Sequence, residues 1–217
     1  MPFAPTVALQ EGLRADLLAG RAPETLLLLE HEPVITLGRS ARPGHVHLTE
    51  LELARRGIDL VRASRGGDVT YHGPGQLVGY PIVRLRSGVV GHMTAMARAV
   101  GGVLAEHGVD ARWRRDAPGL WVGDAKICAF GVHVRQRVAM HGFALNVAPD
   151  LGAFDLIVPC GMPGVRTTSM AMLGIAPPPL PDLAARVAAR LGAELGLTFD
   201  DQDDQDDQPD CNVEADH

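Results

Sequence analysis

A lone lysine and three cysteines are the residues of this chain best suited to covalent chemistry. Of 20 Lys and Arg residues, all but Lys126 are arginine. Arginine keeps its proton in proteins, whereas a lysine releases one where its surroundings favour the neutral amine, so Lys126 is a candidate for proton transfer. Chance survival in an arginine-biased composition explains it equally well at this level. Cys128, Cys160 and Cys211 are odd in number and contain no CxxC pair, which fits neither a disulfide framework nor a zinc knuckle, so they read as reduced thiols. Cys160 lies in VPCGMPG, a loop able to expose a nucleophile. Cys128, two residues from Lys126 on an extended run, is expected to share that lysine's face, although ICAF is also the setting of a small core residue. Cys211 falls in an acidic tail.

The densest group of other functional side chains is RGGDVTYHGPGQLVGYPI, from Arg65 to Ile82. Its glycines let backbone approach a ligand closely, and Arg65, Thr70, Tyr71, His72 and Gln76 supply donors and acceptors. The same glycines serve tight turns, and His72 could instead satisfy a buried backbone group. Among nine histidines, His45 and His47 would share a face if extended, but no set of His, Cys and carboxylate residues has zinc spacing. No metal is expected.

The elements that must position these residues follow from periodicity and punctuation. ETLLLLE, Glu24 to Glu30, is too short for a typical helix and reads as a buried strand, with Val34 to Leu37 as a second. Thr49 and Glu52 form a capping box for a short helix stopped by Gly57, and Asp59 to Ala63 is extended again. The glycine-rich segment to Gln76 is expected to be an ordered loop entering a strand from Leu77 to Leu85. Met93 to His107 reads as a helix ending at Gly108. Leu120 to Val122 and Lys126 to Arg135 flank Gly123-Asp124 as a hairpin, followed by a strand from Val138 to Val147. Beyond Pro149 come a helical turn, the PCGMPG loop, a helix expected from Thr168 to Leu173, the breaker PPPLP, and an alanine-rich helix from Leu183 to Leu195. This order predicts an α+β fold, with a mixed, largely antiparallel sheet packed with helices.

With 217 residues and 46% hydrophobic content, one catalytic domain over residues 1–199 is expected. Residues 200–217 hold nine of the 26 acidic residues and no Lys or Arg, repeat Asp-Asp-Gln, and read as a disordered acidic tail. The net charge of -6 therefore reflects the tail, and the remainder is slightly basic. No run of about 18 apolar residues and no signal-peptide pattern is present, so a cytoplasmic protein without membrane attachment is expected. Aromatics at 4% and the lack of a nucleic-acid motif argue against nucleic-acid binding.

Taken whole, the Arg65–Ile82 segment closely resembles the signature of the lipoyl(octanoyl) transferases, the octanoyl-[acyl carrier protein]:protein N-octanoyltransferases of lipoate biosynthesis. That pattern runs RGG, two residues, Thr, an aromatic, His, then GPGQ. LLLLEHEPVITLGR resembles the family's opening strand pair, DAKICAFGVHV and HGFALNV its central hairpin, and VPCGMPG its nucleophile loop. The resemblance implies a fold similar to the catalytic domain of biotin and lipoate protein ligases. It makes Cys160 the acyl-thioester nucleophile and Lys126 its acid/base partner. It places Arg65, Gly66, Gly67, Asp68, Val69, Thr70, Tyr71 and His72, with Ala129, Phe130, Gly131, Gly142, Phe143 and Ala144, around the acyl substrate. No cofactor is implied. The implied partners are acyl carrier protein as donor and, as acceptors, the lipoyl domains of 2-oxoacid dehydrogenase E2 subunits and the glycine cleavage H protein.

The chemistry suits those residue types. Thioester exchange onto a thiolate changes the energy little and needs no ATP. Free cysteine has a pKa near 8.5 and a neighbouring ammonium stabilises its thiolate. Met93, Met96, Met162, Met170 and Met172 read as core filler, though thioethers could also shape an acyl tunnel. Arg112, Arg114, Arg115, Arg135 and Arg137 could steer acidic partners or merely be solvated. The rivals are an ATP-dependent lipoate or biotin ligase and a carrier-to-carrier octanoyl amidotransferase on the same fold, and a non-catalytic acyl-binding module. At the N-terminus, MPFAPTVALQEGLRADLLAG is short for the family's first strand and helix, so an edge strand is expected to be missing or the start trimmed.

Overall fold

Apolar runs broken by turn residues order the chain. In the computed structural model, which describes residues 1–199, they build two sheets flanked by four α-helices. The expected acidic tail and Cys211 lie outside the described residues. The chain enters directly into helix α1 (Phe3–Leu18), with no strand before it, and then forms β1 (Thr25–Leu29) and β2 (Val34–Leu37). Helix α2 (Glu50–Arg55) carries the expected capping box, Glu52 N donating to Thr49 Oγ1 at 3.3 Å and Thr49 N to Glu52 Oε2 at 2.8 Å. Such a cap stabilises a helix by about 1 kcal/mol. Strand β3 (Asp59–Arg62) follows Gly57, whose φ of 70° ends α2 in the left-handed region.

Strands β4 (Val69–His72) and β5 (Gln76–Ile82) precede the long helix α3 (Gly88–Glu106). Then come β6 (Arg112–Arg114), β7 (Gly119–Val122), β8 (Ala125–Arg135) and β9 (Val138–Asn146), the short β10 (Arg166–Thr167), and α4 (Leu180–Leu195). The larger sheet runs β1-β5-β9-β8-β7-β6, all antiparallel, with β10 added parallel to β8. The smaller runs β3-β2-β4, with β2 parallel to β3 and antiparallel to β4. The architecture is α+β, mixed and largely antiparallel.

Strand β5 is buried along its whole length because both faces of the large sheet are covered. Val78, Tyr80 and Ile82 face a cluster with Leu17 of α1, while Leu77 joins Val100 and Leu104 of α3 and Val187 and Leu191 of α4 on the other side. Each such side chain, fully buried, contributes about 1.5–3 kcal/mol of transfer free energy. Helix α3 has the length and apolarity of a membrane span, yet its inward face is buried in that core. The small sheet has its own core, where Ile35, Val69 and Tyr71 meet Leu53 of α2 and Phe154 from a 3₁₀ turn at Leu151–Leu156.

Three expectations are corrected. The glycine-rich segment is not loop throughout, since Val69–His72 pairs with β2; Val69 and Tyr71 alternate into the small core, a period-two signal hidden by flanking glycines. The helix expected over Thr168–Leu173 is reduced to one 3₁₀ turn at Ala171–Leu173. Thr168 N donates to Lys126 O at 2.9 Å and Met170 N to Asn146 O at 3.1 Å, so the large sheet takes the donors a helix would need. Helices α3 and α4 start earlier than expected, α4 admitting Pro181 in its first turn, where a missing N–H does no harm.

Gly79 and Phe143 oppose each other across β5 and β9, and the Phe143 ring covers the point where a Cβ on Gly79 would stand. Gly79→Ala should therefore overpack this crossing and lower stability by about 1–3 kcal/mol. Urea unfolding would show a reduced midpoint at unchanged slope; an unaltered midpoint would contradict the packing described.

Candidate active site

Lys126 is placed by the irregularity of its own strand. Trp121 pairs with Lys126 but Leu120 with Cys128, a bulge that inserts Ile127 and resets the alternation of β8. Ile127 and Cys128 consequently enter the core beneath α3 and α4, while Lys126 and Ala129, three residues apart, both face a cavity. The expected common face for Lys126 and Cys128 is thus overturned. Cys128 is fully buried and burial pushes its thiol well above the ordinary range, which removes it as a nucleophile.

The Lys126 backbone is clamped by β10, where Thr167 is its partner, and by the Thr168 amide. Its side chain crosses Gly119, where a Cβ would stand 2.8 Å from Cε. The ammonium donates to Pro118 O at 3.3 Å, lies 4.9 Å from the Trp121 ring centre, and donates to Cys160 Sγ at 3.0 Å. An ammonium at that distance stabilises a thiolate.

Cys160 sits in a single 3₁₀ turn, Pro159–Gly161, with φ 56° and ψ 19°. A non-glycine residue held in the left-handed region costs about 1–3 kcal/mol and persists only where its surroundings enforce it. The turn leaves the thiol partly accessible, at the wall of a cavity of about 440 Å³.

That cavity gathers nearly all the residues expected at an acyl site. Arg65, Gly66, Gly67, Asp68, Val69, Thr70, His72, Ala129, Phe130, Gly131, Gly142, Phe143 and Ala144 line it together with Lys126 and Cys160. Tyr71 is the exception: strand alternation turns it into the small core, its ring edge-on to Phe154 at 5.6 Å. The cross-strand pairs Ala129–Ala144 and Gly131–Gly142 share one face and, being small, leave a slot between the sheets. Phe3, Tyr80 and His141 also line the cavity and were not anticipated, and Met93 and Met162, read from the sequence as core filler, line it as well. Phe3 had no local signal, since only the docking of α1 brings it there. Tyr80 had one, in the even spacing of Val78, Tyr80 and Ile82 that puts it opposite Leu77.

Arg65 is an internal anchor. It donates to Thr36 O at 2.6 Å, to Thr36 Oγ1 at 2.7 and 3.2 Å, to Gly66 O at 3.1 Å and to Asp68 O at 2.9 Å. A guanidinium has five N–H donors, and these bonds occupy them, so Arg65 shapes the RGG turn and acts on a ligand only through its field. Burial lowers its pKa.

A polar chain fixes His72. Asn146 Nδ2 donates to Thr168 O at 3.0 Å, Gln76 Nε2 to Asn146 Oδ1 at 2.9 Å, and Gln76 Oε1 accepts from His72 Nδ1 at 2.7 Å. The direction of these bonds leaves the proton on Nδ1 and the lone pair on Nε2. Burial lowers the His72 pKa to about 3, and that of His141 likewise to about 3, so both rings are neutral at pH 7. Among the described residues no group of three His, Cys, Asp or Glu side chains is arranged to hold a metal ion.

The profile of the lipoyl protein ligase A/B catalytic domain matches residues 2–192. The octanoyltransferase of Chloroflexus aggregans is 47% identical over 199 residues, covering 88% of each chain. That of Dictyoglomus thermophilum is 43% identical over 174 residues, covering 80% of this chain and 75% of its own. Among solved structures, the lipoate protein ligase of a bi-partite archaeal lipoylation system from Thermoplasma acidophilum superposes with a TM-score of 0.69 at 18% identity, covering 89% of this chain and 81% of that one. Biotin protein ligase from Aquifex aeolicus gives 0.50 at 13% identity, over 75% and 70%. These two likenesses concern the fold.

Two outcomes follow from the site's electrostatics. In the native protein at neutral pH, iodoacetamide should modify Cys160 and leave Cys128 untouched until denaturant is added, as read by peptide mapping; early labelling of Cys128 would contradict its burial. Neutral buried histidines bind fewer protons than the unfolded chain, so their contribution is complete above about pH 6.5 and is lost as pH falls towards about 3. The unfolding free energy from urea titrations should already drop between pH 6.5 and 5, before carboxylates titrate, by at most about 1.4 kcal/mol per pH unit for each such histidine. His72→Asn should flatten that slope, and a flat wild-type profile would refute the assignment.

Proposed function

The chain belongs to the lipoyl protein ligase A/B catalytic-domain family and is an octanoyltransferase of protein lipoylation, and we propose that it works by two successive acyl transfers through Cys160. The observation that carries the mechanism is the 3.0 Å contact between Lys126 Nζ and Cys160 Sγ at the wall of an acyl-sized cavity.

In the first transfer, the Cys160 thiolate attacks the thioester carbonyl of an octanoyl group carried on the phosphopantetheine arm of acyl carrier protein. The new Sγ–C bond forms, the C–S bond to pantetheine breaks, and the Lys126 ammonium returns the proton to the departing thiolate. In the second, the amine of an acceptor lysine attacks S-octanoyl-Cys160. The amide bond forms, the Cys160 thiolate leaves, and the nitrogen's proton passes to Lys126. The first transfer exchanges one thioester for another with little energy change and the second runs downhill from thioester to amide, so neither consumes a nucleotide.

The slot between β8, β9 and β4 suits a flexible alkyl chain, being floored by Ala129, Gly131, Gly142 and Ala144 and closed by Phe3 and Met93. His72 and His141, held neutral, add no charge of their own to that slot. An adenylate-forming ligase would have no use for a thiol held at a lysine, so the Lys126–Cys160 pair favours transfer over ligation. It equally supports an octanoyl amidotransferase acting between carrier domains, and donor preference separates the two.

The acceptors in this reading are the lipoyl domains of 2-oxoacid dehydrogenase E2 subunits and the glycine cleavage H protein. A place in the cytoplasm belongs to the same reading, as does one catalytic domain spanning residues 1–199. The Thermoplasma ligase, alike in fold, forms a lipoylation system with its E2 lipoyl domain, which supports an acceptor of that kind.

Intact-protein mass spectrometry after brief incubation with octanoyl-acyl carrier protein, without ATP and under reducing conditions, tests the mechanism. Wild type and Cys128→Ser should gain one octanoyl group that hydroxylamine removes, and Cys160→Ser should gain none. An adduct on Cys128, or none without ATP, would overturn it. Truncation after Phe199 should leave transfer intact.

A further inference from the structure

His45 stood out in the sequence, beside His47, with no role. The structure turns its ring inward: Nδ1 donates to Asp68 Oδ2 at 2.9 Å, with the Asp68 side chain nine-tenths buried. The backbone on either side of His45 is joined to the chain that leads into the nucleophile turn. Val158 N donates to His45 O at 2.9 Å, His47 N to Leu156 O at 2.8 Å, and Val46 bridges Ile157 in antiparallel fashion.

The same Asp68 oxygen, Oδ2, meets the turn itself. A Cβ on Gly161 would fall on the Asp68 carboxylate, so the acid occupies the place a side chain would take beside Cys160. Cys160 and Gly161 are both left-handed, at φ 56° and 67°, and the turn's own backbone bonds are local, Gly161 N to Val158 O and Met162 N to Pro159 O. Local bonds of that kind also suit a relaxed turn. The strap at His45–His47 and the Asp68 carboxylate act on it from outside, as does the Lys126 ammonium through Cys160 Sγ.

We infer that the His45–Asp68 pair is a brace that sets the Cys160 turn against Lys126, which makes both of them positioning residues for the acyl transfers proposed above. Stability alone does not account for the pair. Asp68 Oδ1 is buried with no hydrogen-bond partner among the described residues, and a half-satisfied buried carboxylate is unfavourable for folding. Its negative charge beside the turn would also oppose a thiolate. What the carboxylate supplies is shape: a filled space beside Gly161 and a rigid link to the strap.

The test is the single-turnover rate of Cys160 acylation from octanoyl-acyl carrier protein, read by quench and intact mass. His45→Ala and Asp68→Ala should each slow it at least about tenfold, since small misplacements of a reacting group are costly, and His45→Ala, outside the cavity, should leave KM for the carrier unchanged. The double variant should be no slower than the slower single one, because the two residues act as a unit. His45→Asn, whose amide N–H stands where Nδ1–H did, should recover to within about threefold of wild type. A general structural role would not be rescued by that one donor.

Acylation of His45→Ala at the wild-type rate, or of His45→Asn as slowly as His45→Ala, would overturn the brace while leaving the acyl-enzyme reading intact. Failure of the wild type to acylate on Cys160 would remove that reading and the brace with it.

Discussion

Everything at this site depends on holding an ammonium and a thiol 3.0 Å apart when one stands on a strand and the other in a loop 34 residues later. Two long side chains on flexible supports would not keep that distance. Here the support of Lys126 is a bulged strand bonded on both edges, to β7 and to β10, and its aliphatic stem has no free space above Gly119. The contact therefore costs little further entropy when it forms. The bulge is the decisive detail, because with regular alternation through Ile127 the core thiol Cys128 would share the lysine's face.

The surrounding polar groups are arranged so that they do not compete for that pair. Arg65 spends its donors on Thr36 and on its own turn, and the Thr168–Asn146–Gln76–His72 chain absorbs its donors in sequence. Buried networks are favourable only when their members are satisfied, and these two nearly are. Among the described residues, Lys126 alone donates to the Cys160 sulfur. The two sheets divide the labour: the large one carries the lysine and the floor of the slot, and the small one carries the glycine-rich wall. The nucleophile turn touches both.

Much of this was legible in the sequence because it rests on local rules. The capping box at Thr49 and Glu52, the stop at Gly57, the strands at Thr25–Leu29 and Val34–Leu37, and the Gly123-Asp124 hairpin each follow from a few neighbouring residues. The lone lysine and the Pro-Cys-Gly loop marked the pair that meets. What could not be read depends on contacts between distant segments. The helix expected after Thr168 is undone by donors going to Lys126 and Asn146, and the face of Cys128 is decided by a register shift against β7. Tyr71 looked like part of the site because its neighbours are, yet period-two alternation sends it the other way. Phe3 reaches the cavity only because α1 docks on β5 and β9.

Strain and mobility at Cys160 have to be weighed together. A left-handed cysteine beside a left-handed glycine would relax if the turn were free, and the thiol would leave the lysine. In the two-transfer scheme, one lysine must meet the cysteine as a thiolate, then as a neutral thioester, then as a leaving thiolate. Its proton is given up in the first transfer and regained in the second. This works only if acylation alters the charge at Cys160 without altering where it stands. A turn enforced from outside meets that condition better than one held by the Lys126–Cys160 attraction alone, since that attraction vanishes on acylation. In that scheme the geometry that positions Cys160 comes from residues that take no part in the transfers.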